Sequence, residues 1–153
     1  NLTVFKQVMF YFKLNLRVRN FDHDSGDGLW PGTRMLNFRL FKKINNVQKI
    51  RNFKAKIYGW WRFDKPRLNI INYGGWHFRF FGSSKNLKHE LENRSIGRGE
   101  NILSSYSESD INNIIKNRLP FTTEEERYEV YPLSKMPDFV KLNKEKYINS
   151  LIV

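Results

Sequence analysis

Cysteine is absent from this sequence, which excludes both a disulfide framework and a zinc site with cysteine ligands. The lack of cysteine fits a reducing compartment. Long apolar runs are missing too: no stretch reaches the roughly 18 residues that a transmembrane helix needs, so we expect no membrane span in this chain. The sequence begins with Asn1 rather than Met and enters apolar sequence at once. We therefore expect it to be part of a longer protein.

Acidic residues are scarce relative to basic ones. The chain of 153 residues carries 27 Lys and Arg against 15 Asp and Glu, a formal net charge of +12. Such an excess favours a polyanionic partner: a nucleic acid, a nucleotide diphosphate or an acidic membrane surface. Hydrophobic residues make up 40% and aromatic residues 16% of the chain, which is typical of a folded protein rather than a disordered one.

Strand signals dominate the first half of the sequence. Apolar and other residues alternate from Val8 to Val18, which predicts one strand whose second face ends polar and is open to water or a ligand. Pro31-Gly32 predicts a turn. Further strands are predicted at 34–41, at 54–61, and on either side of Gly74-Gly75 at 68–73 and 77–81, with a short helix near 45–53.

Helical signals dominate after Ser83, where the spacing of apolar residues changes. Ser83 or Ser84 can cap a helix running to about Asn93, and Ser107 with Asp110 forms an approximate capping box for a second one. A last helix is predicted from Pro137 to about Leu151. The fold class is therefore α+β, or the back half of an α/β domain, with strands mostly before residue 82 and helices mostly after it.

The residues alone leave the chemistry open. No Ser-His-Asp order, phosphate-binding loop or H-E-x-x-H motif is present. Asp22-His23-Asp24 is either a metal-binding D-x-D motif or, more simply, part of a solvated loop. His77 and His89 are either packed residues or catalytic ones. Trp30 and Trp60-Trp61 suit a core, and they equally suit platforms on which sugar rings stack.

Four segments occur in an order that resembles the family 17 glycosyltransferases. They are FYFKLNLR, WPGTR, GGWHFRFFGSSKNLKHELEN and YPLSKMPDFVKLNKEKYINSLI. This family comprises the β-1,4-mannosyl-glycoprotein 4-β-N-acetylglucosaminyltransferases, and residues 1–153 resemble its carboxyl-terminal half, as a single or partial domain. The resemblance implies an inverting transfer of N-acetylglucosamine from UDP-N-acetylglucosamine to a glycan of the N-linked type. It also implies a fold of the nucleotide-diphosphate-sugar transferase kind and a divalent metal, expected to be Mn²⁺.

The resemblance also implies roles for particular residues. Glu90 is the first candidate for the general base and Glu92 the second, because Leu91 stands where relatives carry an acid. His77 is a candidate catalytic residue and metal ligand, with the remaining ligands expected upstream of this chain. We expect Trp76 and His77 to face an open cleft close to Arg34 and to His89–Glu90. The candidate substrate-binding residues are Trp30, Arg34, Trp76 and His89.

Two other functions compete with the transferase. The charge and interleaved aromatic residues suit a nucleic-acid-binding module or small nuclease, although the basic residues form no tight cluster beyond Lys42-Lys43. The chain could also be an inactive interaction fragment that lacks the nucleotide- and metal-binding half. If it is the transferase, its partners are a UDP-sugar and a glycan rather than nucleic acid. We then expect a cytoplasmic bacterial or viral enzyme rather than a Golgi one.

Overall fold

A computed structural model describes residues 1–21, 26–53, 59, 61, 67–98 and 105–152 of the chain, without the side chains of 94–98. Within this part no helix is both long and apolar enough to cross a membrane. Its strands are β1 (Leu2–Tyr11), β2 (Leu16–Arg19), β3 (Leu29–Leu36), β4 (Leu68–Ile71), β5 (Trp76–Arg79) and β6 (Arg127–Val130). Its α-helices are α1 (Phe38–Ile44), α2 (Val47–Asn52), α3 (Ser84–Arg98), α4 (Glu108–Asn117) and α5 (Asp138–Leu142).

The strands form one open six-stranded sheet in which β1 has the most neighbours. The main order is β3-β1-β2-β6, and β4 and β5 also pair with β1. The pairs β1–β2, β1–β3 and β2–β6 are antiparallel, while β1–β4 is parallel. The protein is therefore a mixed α+β structure, as predicted. The finer prediction, the back half of a sugar-transferase fold, stays a prediction.

The chain divides into two compact units. Unit one comprises Asn1–Val8 and Leu29–His77, and unit two comprises Met9–Gly28 and Phe78–Val153. Strands β1 and β5 each contribute residues to both units. The prediction of a single or partial domain stays a prediction.

The core of unit one lies between its strands and the helices α1 and α2. Leu2, Val4 and Ile50 are its buried members, and the partly buried residues packed against them are Leu36, Leu40, Phe41, Ile44, Phe53 and Leu68. Each helix begins at an asparagine whose side chain accepts a hydrogen bond from a backbone N–H at 2.8 Å, Asn37 from Leu40 and Asn46 from Lys49. The strand predicted at 34–41 ends at Leu36, because Asn37 caps the start of α1. The short helix predicted near 45–53 is confirmed as α2.

The Pro31-Gly32 pair does not form a turn, so that prediction is wrong. Both residues lie inside β3, where the pairing shifts from Val4 opposite Arg34 to Lys6 opposite Pro31. The shift places one extra residue in β3, which is a β-bulge. Because β3 ends the main strand order, its proline interrupts no pairing with another described strand on the outer side.

The strand predicted from Val8 to Val18 is in fact a hairpin. Strand β1 ends at Tyr11, Phe12 takes a left-handed conformation with φ of 63°, and the chain returns as β2 from Leu16. Most of its second face is closed to water, because Met9, Tyr11, Asn15 and Arg17 are buried, while Arg19 at its end is exposed. Asn15 ties this turn to the end of the chain: its amide accepts from the Ile152 N–H at 2.7 Å and donates to the Ile152 carbonyl at 2.8 Å.

The helices of unit two, and the strands β4 and β5 that precede them in the chain, follow the local signals in the sequence. Ser83 Oγ accepts from the Asn86 N–H at the start of α3, and the Ser107–Asp110 capping box is present at α4. The strands predicted at 68–73 and 77–81 correspond to β4 and β5. The last predicted helix is shorter than expected, since α5 ends at Leu142 and a 3₁₀ segment continues over Lys144–Ser150.

A buried carboxylate organises the loop between α4 and β6 in unit two. Glu126 is 1% exposed, and its Oε2 accepts from the backbone N–H of Phe121 at 2.9 Å and of Thr122 at 3.1 Å. The Tyr128 hydroxyl donates to the same oxygen at 2.8 Å, and the Thr122 hydroxyl donates to Oε1. Burial and this carboxylate together raise the pKa of Tyr128 far above its ordinary value. All four donors therefore share the Glu126 carboxylate as their hydrogen-bond acceptor.

Replacing this carboxylate by its amide should destabilise the protein. In Glu126→Gln the new NH₂ group faces donors, so at least one buried donor loses its acceptor. We expect a loss of about 2–3 kcal/mol in the free energy of unfolding. Glu125→Gln is the matched control, because Glu125 is exposed, and it should stay within about 0.5 kcal/mol of the parent. Urea denaturation measures both, and equal stabilities of the two variants would contradict the assigned role.

Candidate functional site

Two residues singled out from the sequence, Trp30 and His77, lie against each other in unit one. Their ring centroids are 3.9 Å apart and the rings are inclined by 32°. Trp30 is on β3 and His77 on β5, and each of these strands pairs with β1. Gln7 of β1 stands directly opposite Trp30 in the register. All three side chains are half-buried, so each is partly accessible to solvent. We call Gln7, Trp30 and His77 the indole–imidazole platform.

Glycines on both sides make room for this platform. A Cβ on Gly32 would overlap the Trp30 ring and Gln7 Oε1. Gly75 has φ of +143°, and a Cβ there would come within 3.0 Å of Gln7 Nε2. Its carbonyl accepts from the Val8 N–H at 3.0 Å, which holds the segment before β5 against β1. Gly75 of the GGWH stretch therefore lets the backbone pass close to the Gln7 amide.

Arg34 does not join His77, contrary to our expectation. It stands opposite Val4, whereas Trp30 stands opposite Gln7. Val4 and Gln7 are three residues apart on one strand, so their side chains point to opposite faces. Arg34 therefore lies on the face that α1 and α2 cover, and the platform lies on the other face.

The Arg34 guanidinium holds the bulge of β3. Its Nη1 donates to the carbonyls of Pro31 at 3.0 Å and Gly32 at 2.8 Å, and its Nη2 donates to the Phe53 carbonyl at 3.2 Å. Burial lowers the pKa of Arg34, and the nearby charge of Arg51 lowers it further. With three donors on backbone carbonyls, Arg34 has a structural role, and its proposed role as a substrate clamp gains no support from this geometry.

Trp76 and His77 do not share a surface either. They are successive residues of β5, and successive side chains of a strand point to opposite faces. The Trp76 side chain is 41% exposed, so it is accessible, but on the face away from the platform. Trp61 is 64% exposed, while Trp60 lies outside the described residues, as does Asp22-His23-Asp24.

The candidate base residues lie on α3 in unit two. His89 and Glu92 are exposed and Glu90 is half-buried. Lys88 Nζ lies 3.9 Å from the Glu92 carboxylate one turn away, a surface ion pair of small energetic weight. The assignment of Glu90 as general base, and that of His89 as a substrate-binding residue, stay predictions.

A metal does not fit the platform by itself. Among the described residues, no three His, Asp or Glu side chains come together in a way that could hold an ion. Around His77 the platform offers an indole and an amide rather than carboxylates, which are the usual partners of Mn²⁺. The role of His77 as a metal ligand stays a prediction.

Gln7 was missed in the sequence, although a signal for it exists. It is a polar residue inside the otherwise apolar stretch VFKQVMFYF, where Lys6 beside it is buried. A polar pair that interrupts a central strand indicates either hydrogen-bonded burial or a ligand contact. The strand register, which the sequence does not reveal, is what places Gln7 opposite Trp30.

Comparison with known proteins leaves the family open. No protein-family model matches the chain, and neither the curated proteins nor the solved structures gave a significant match. The resemblance to the family 17 glycosyltransferases therefore rests on the four sequence segments alone.

A methyl group added at Gly75 should disturb the platform, whereas one added at Gly82 should leave the platform unchanged. Gly75→Ala and Gly82→Ala place alanine at nearly the same unfavourable φ, +143° and +139°, and each should cost about 1–3 kcal/mol. The Cβ at Gly82 would meet Asn86 at an ordinary 3.6 Å, whereas the one at Gly75 would displace the Gln7 amide. We expect the NMR signals of the Gln7 side-chain amide and the Trp30 indole to shift in Gly75→Ala alone. Unchanged signals in both variants would contradict the contact.

Proposed function

We propose that this chain supplies a sugar-binding surface of an inverting glycosyltransferase that transfers N-acetylglucosamine from UDP-N-acetylglucosamine to a glycan acceptor. The observation that carries the proposal is the indole–imidazole platform: an accessible indole against an imidazole, with an amide between the strands that bear them. The reaction itself is suggested by the sequence resemblance to the family 17 glycosyltransferases.

The chemistry of the platform suits a pyranose. The C–H groups on one face of a sugar ring pack on an indole, and aromatic side chains with a few polar groups are typical of such sites. The Gln7 amide both donates and accepts hydrogen bonds, and the polar atoms of an imidazole are its two ring nitrogens. Both can therefore bind sugar hydroxyls at the edge of the stacked ring.

The proposed reaction also needs a general base and a charge that offsets the departing diphosphate. The acceptor hydroxyl oxygen bonds to the anomeric carbon of the donor while the bond from that carbon to the UDP oxygen breaks, and a base takes the hydroxyl proton. Glu90 is our first proposal for this base and Glu92 the second. A divalent ion would neutralise the departing diphosphate when bound. In this account the platform residues position the sugar.

Removing the imidazole should test the proposal in the full-length protein. His77→Ala should reduce transfer from UDP-N-acetylglucosamine, measured with Mn²⁺ present, by on the order of a hundredfold. The melting temperature should change little, because His77 is half-exposed. Phe139→Ala, which removes a 61% exposed aromatic ring from α5, is the control and should keep the parental rate.

Two results would refute the proposed role. One is transfer by His77→Ala at the parental rate. The other is a loss of activity that follows a loss of folded protein in the thermal melt, since His77 would then be a packing residue. Trp30→Leu provides a second variant, because it removes the stacking surface and keeps an apolar side chain in β3.

A further inference from the structure

The positive charge of the protein is concentrated in unit one. The residues of unit one include 12 Lys and Arg and a single acid, Asp64, whereas those of unit two include 15 Lys and Arg and 14 Asp and Glu. Unit two is thus almost neutral, and nearly all of the net +12 belongs to unit one. A polyanion would be attracted to unit one in particular.

Helix α1 presents a basic side to solvent. Arg39, Lys42 and Lys43 are spaced three and four residues apart, which places them on one side of the helix, and all three are exposed. Leu40 and Ile44 occupy the other side and pack on the core of unit one. In the described part of the chain none of these three cations forms an ion pair, and the first turn of α1 has no acidic residue.

Helix α2 and the first residue of each helix extend this surface. Lys49 and Arg51 are exposed on either side of the buried Ile50. Each helix also begins with a large apolar side chain in solvent, Phe38 at 68% and Val47 at 69% exposure. Lys42 Nζ lies 4.9 Å from the centroid of the Phe38 ring, so charge and apolar surface are adjacent. We call the exposed side of α1 and α2 the basic helix face.

We propose that the basic helix face binds the surface of a membrane that contains anionic phospholipids. Its cations are complementary to phosphate and carboxylate head groups. The exposed Phe38 ring and Val47 side chain among those cations can enter the boundary between head groups and acyl chains, while the apolar side of the helices stays on the core. This surface lies on the side of the sheet opposite the platform, as the register of β1 with β3 requires.

Nucleic acid fits the same face less well. Of its amide side chains, Asn37 and Asn46 cap the two helices, and Gln48 donates to Asn52 at 3.0 Å. These groups are engaged within the helices rather than directed outward to read bases. Phe38 offers one exposed ring on which a base could stack and Val47 offers none, whereas single-strand binders stack successive bases on several aromatic side chains.

Membrane binding and sugar transfer are separate claims. None of the basic-face residues belongs to the indole–imidazole platform, so either claim can fail while the other holds. Co-sedimentation of the full-length protein with lipid vesicles tests the membrane claim without any measurement of transfer. The vesicles are phosphatidylcholine alone, or phosphatidylcholine mixed with phosphatidylserine.

The test uses two triple variants with the same loss of charge. Lys42→Gln, Lys43→Gln and Lys49→Gln together remove three cations from the basic helix face. Lys116→Gln, Lys135→Gln and Lys144→Gln remove three exposed cations from unit two. Since each basic side chain near an anionic surface contributes about fivefold to partitioning, the first set should weaken binding to phosphatidylserine vesicles roughly a hundredfold. The second set should bind nearly as the parent does.

Three outcomes would overturn the proposal. The first is no preference of the parent for phosphatidylserine vesicles over phosphatidylcholine ones. The second is an equal loss of binding in both triple variants, which would indicate attraction by net charge alone. The third is binding of a single-stranded oligonucleotide that depends on Lys42, Lys43 and Lys49 while the anionic vesicles remain unbound, which would assign the face to nucleic acid.

Discussion

Strand β1 pairs with four other strands, and this pairing decides which of its side chains are buried and which reach the candidate site. Strands β2, β3, β4 and β5 all pair with it, and β6 joins the sheet through β2. Leu2 and Val4 point from one face of β1 into the core under α1 and α2. Alternation then directs Gln7 to the opposite face, where β3 brings Trp30 and β5 brings His77. Because Leu2 and Val4 are buried on one face of β1, Gln7 lies on the other face, and this places the candidate site there.

Elements with local signals, such as helix caps, could be predicted from the sequence. Features that depend on strand pairing could not. The capping box at Ser107 and the serine before α3 satisfy backbone groups within one turn, so they could be recognised directly. The β1–β2 hairpin was missed because its left-handed residue is Phe12 rather than glycine. Trp30 was indicated by its residue type and His77 by the resemblance, but their contact and the part of Gln7 follow from strand register, which no short segment encodes.

The two proposed surfaces of unit one are compatible in one molecule. The basic helix face and the indole–imidazole platform lie on opposite sides of the same strands, because Val4 and Gln7 point opposite ways. A membrane bound by α1 and α2 would therefore leave the platform open to a sugar. Arg34, expected beside His77, instead holds the β3 bulge through three backbone carbonyls, and this bulge carries the glycine that makes room for Trp30.

An NMR titration of the protein with an N-acetylglucosamine oligosaccharide shows whether the platform binds a sugar ring. If the platform binds the sugar, the signals of the Trp30 indole, the His77 ring and the Gln7 side-chain amide should shift saturably, and these shifts should be lost in Trp30→Leu. Shifts at residues outside the platform with these three signals unchanged, or no shift at any oligosaccharide concentration reached, would contradict it.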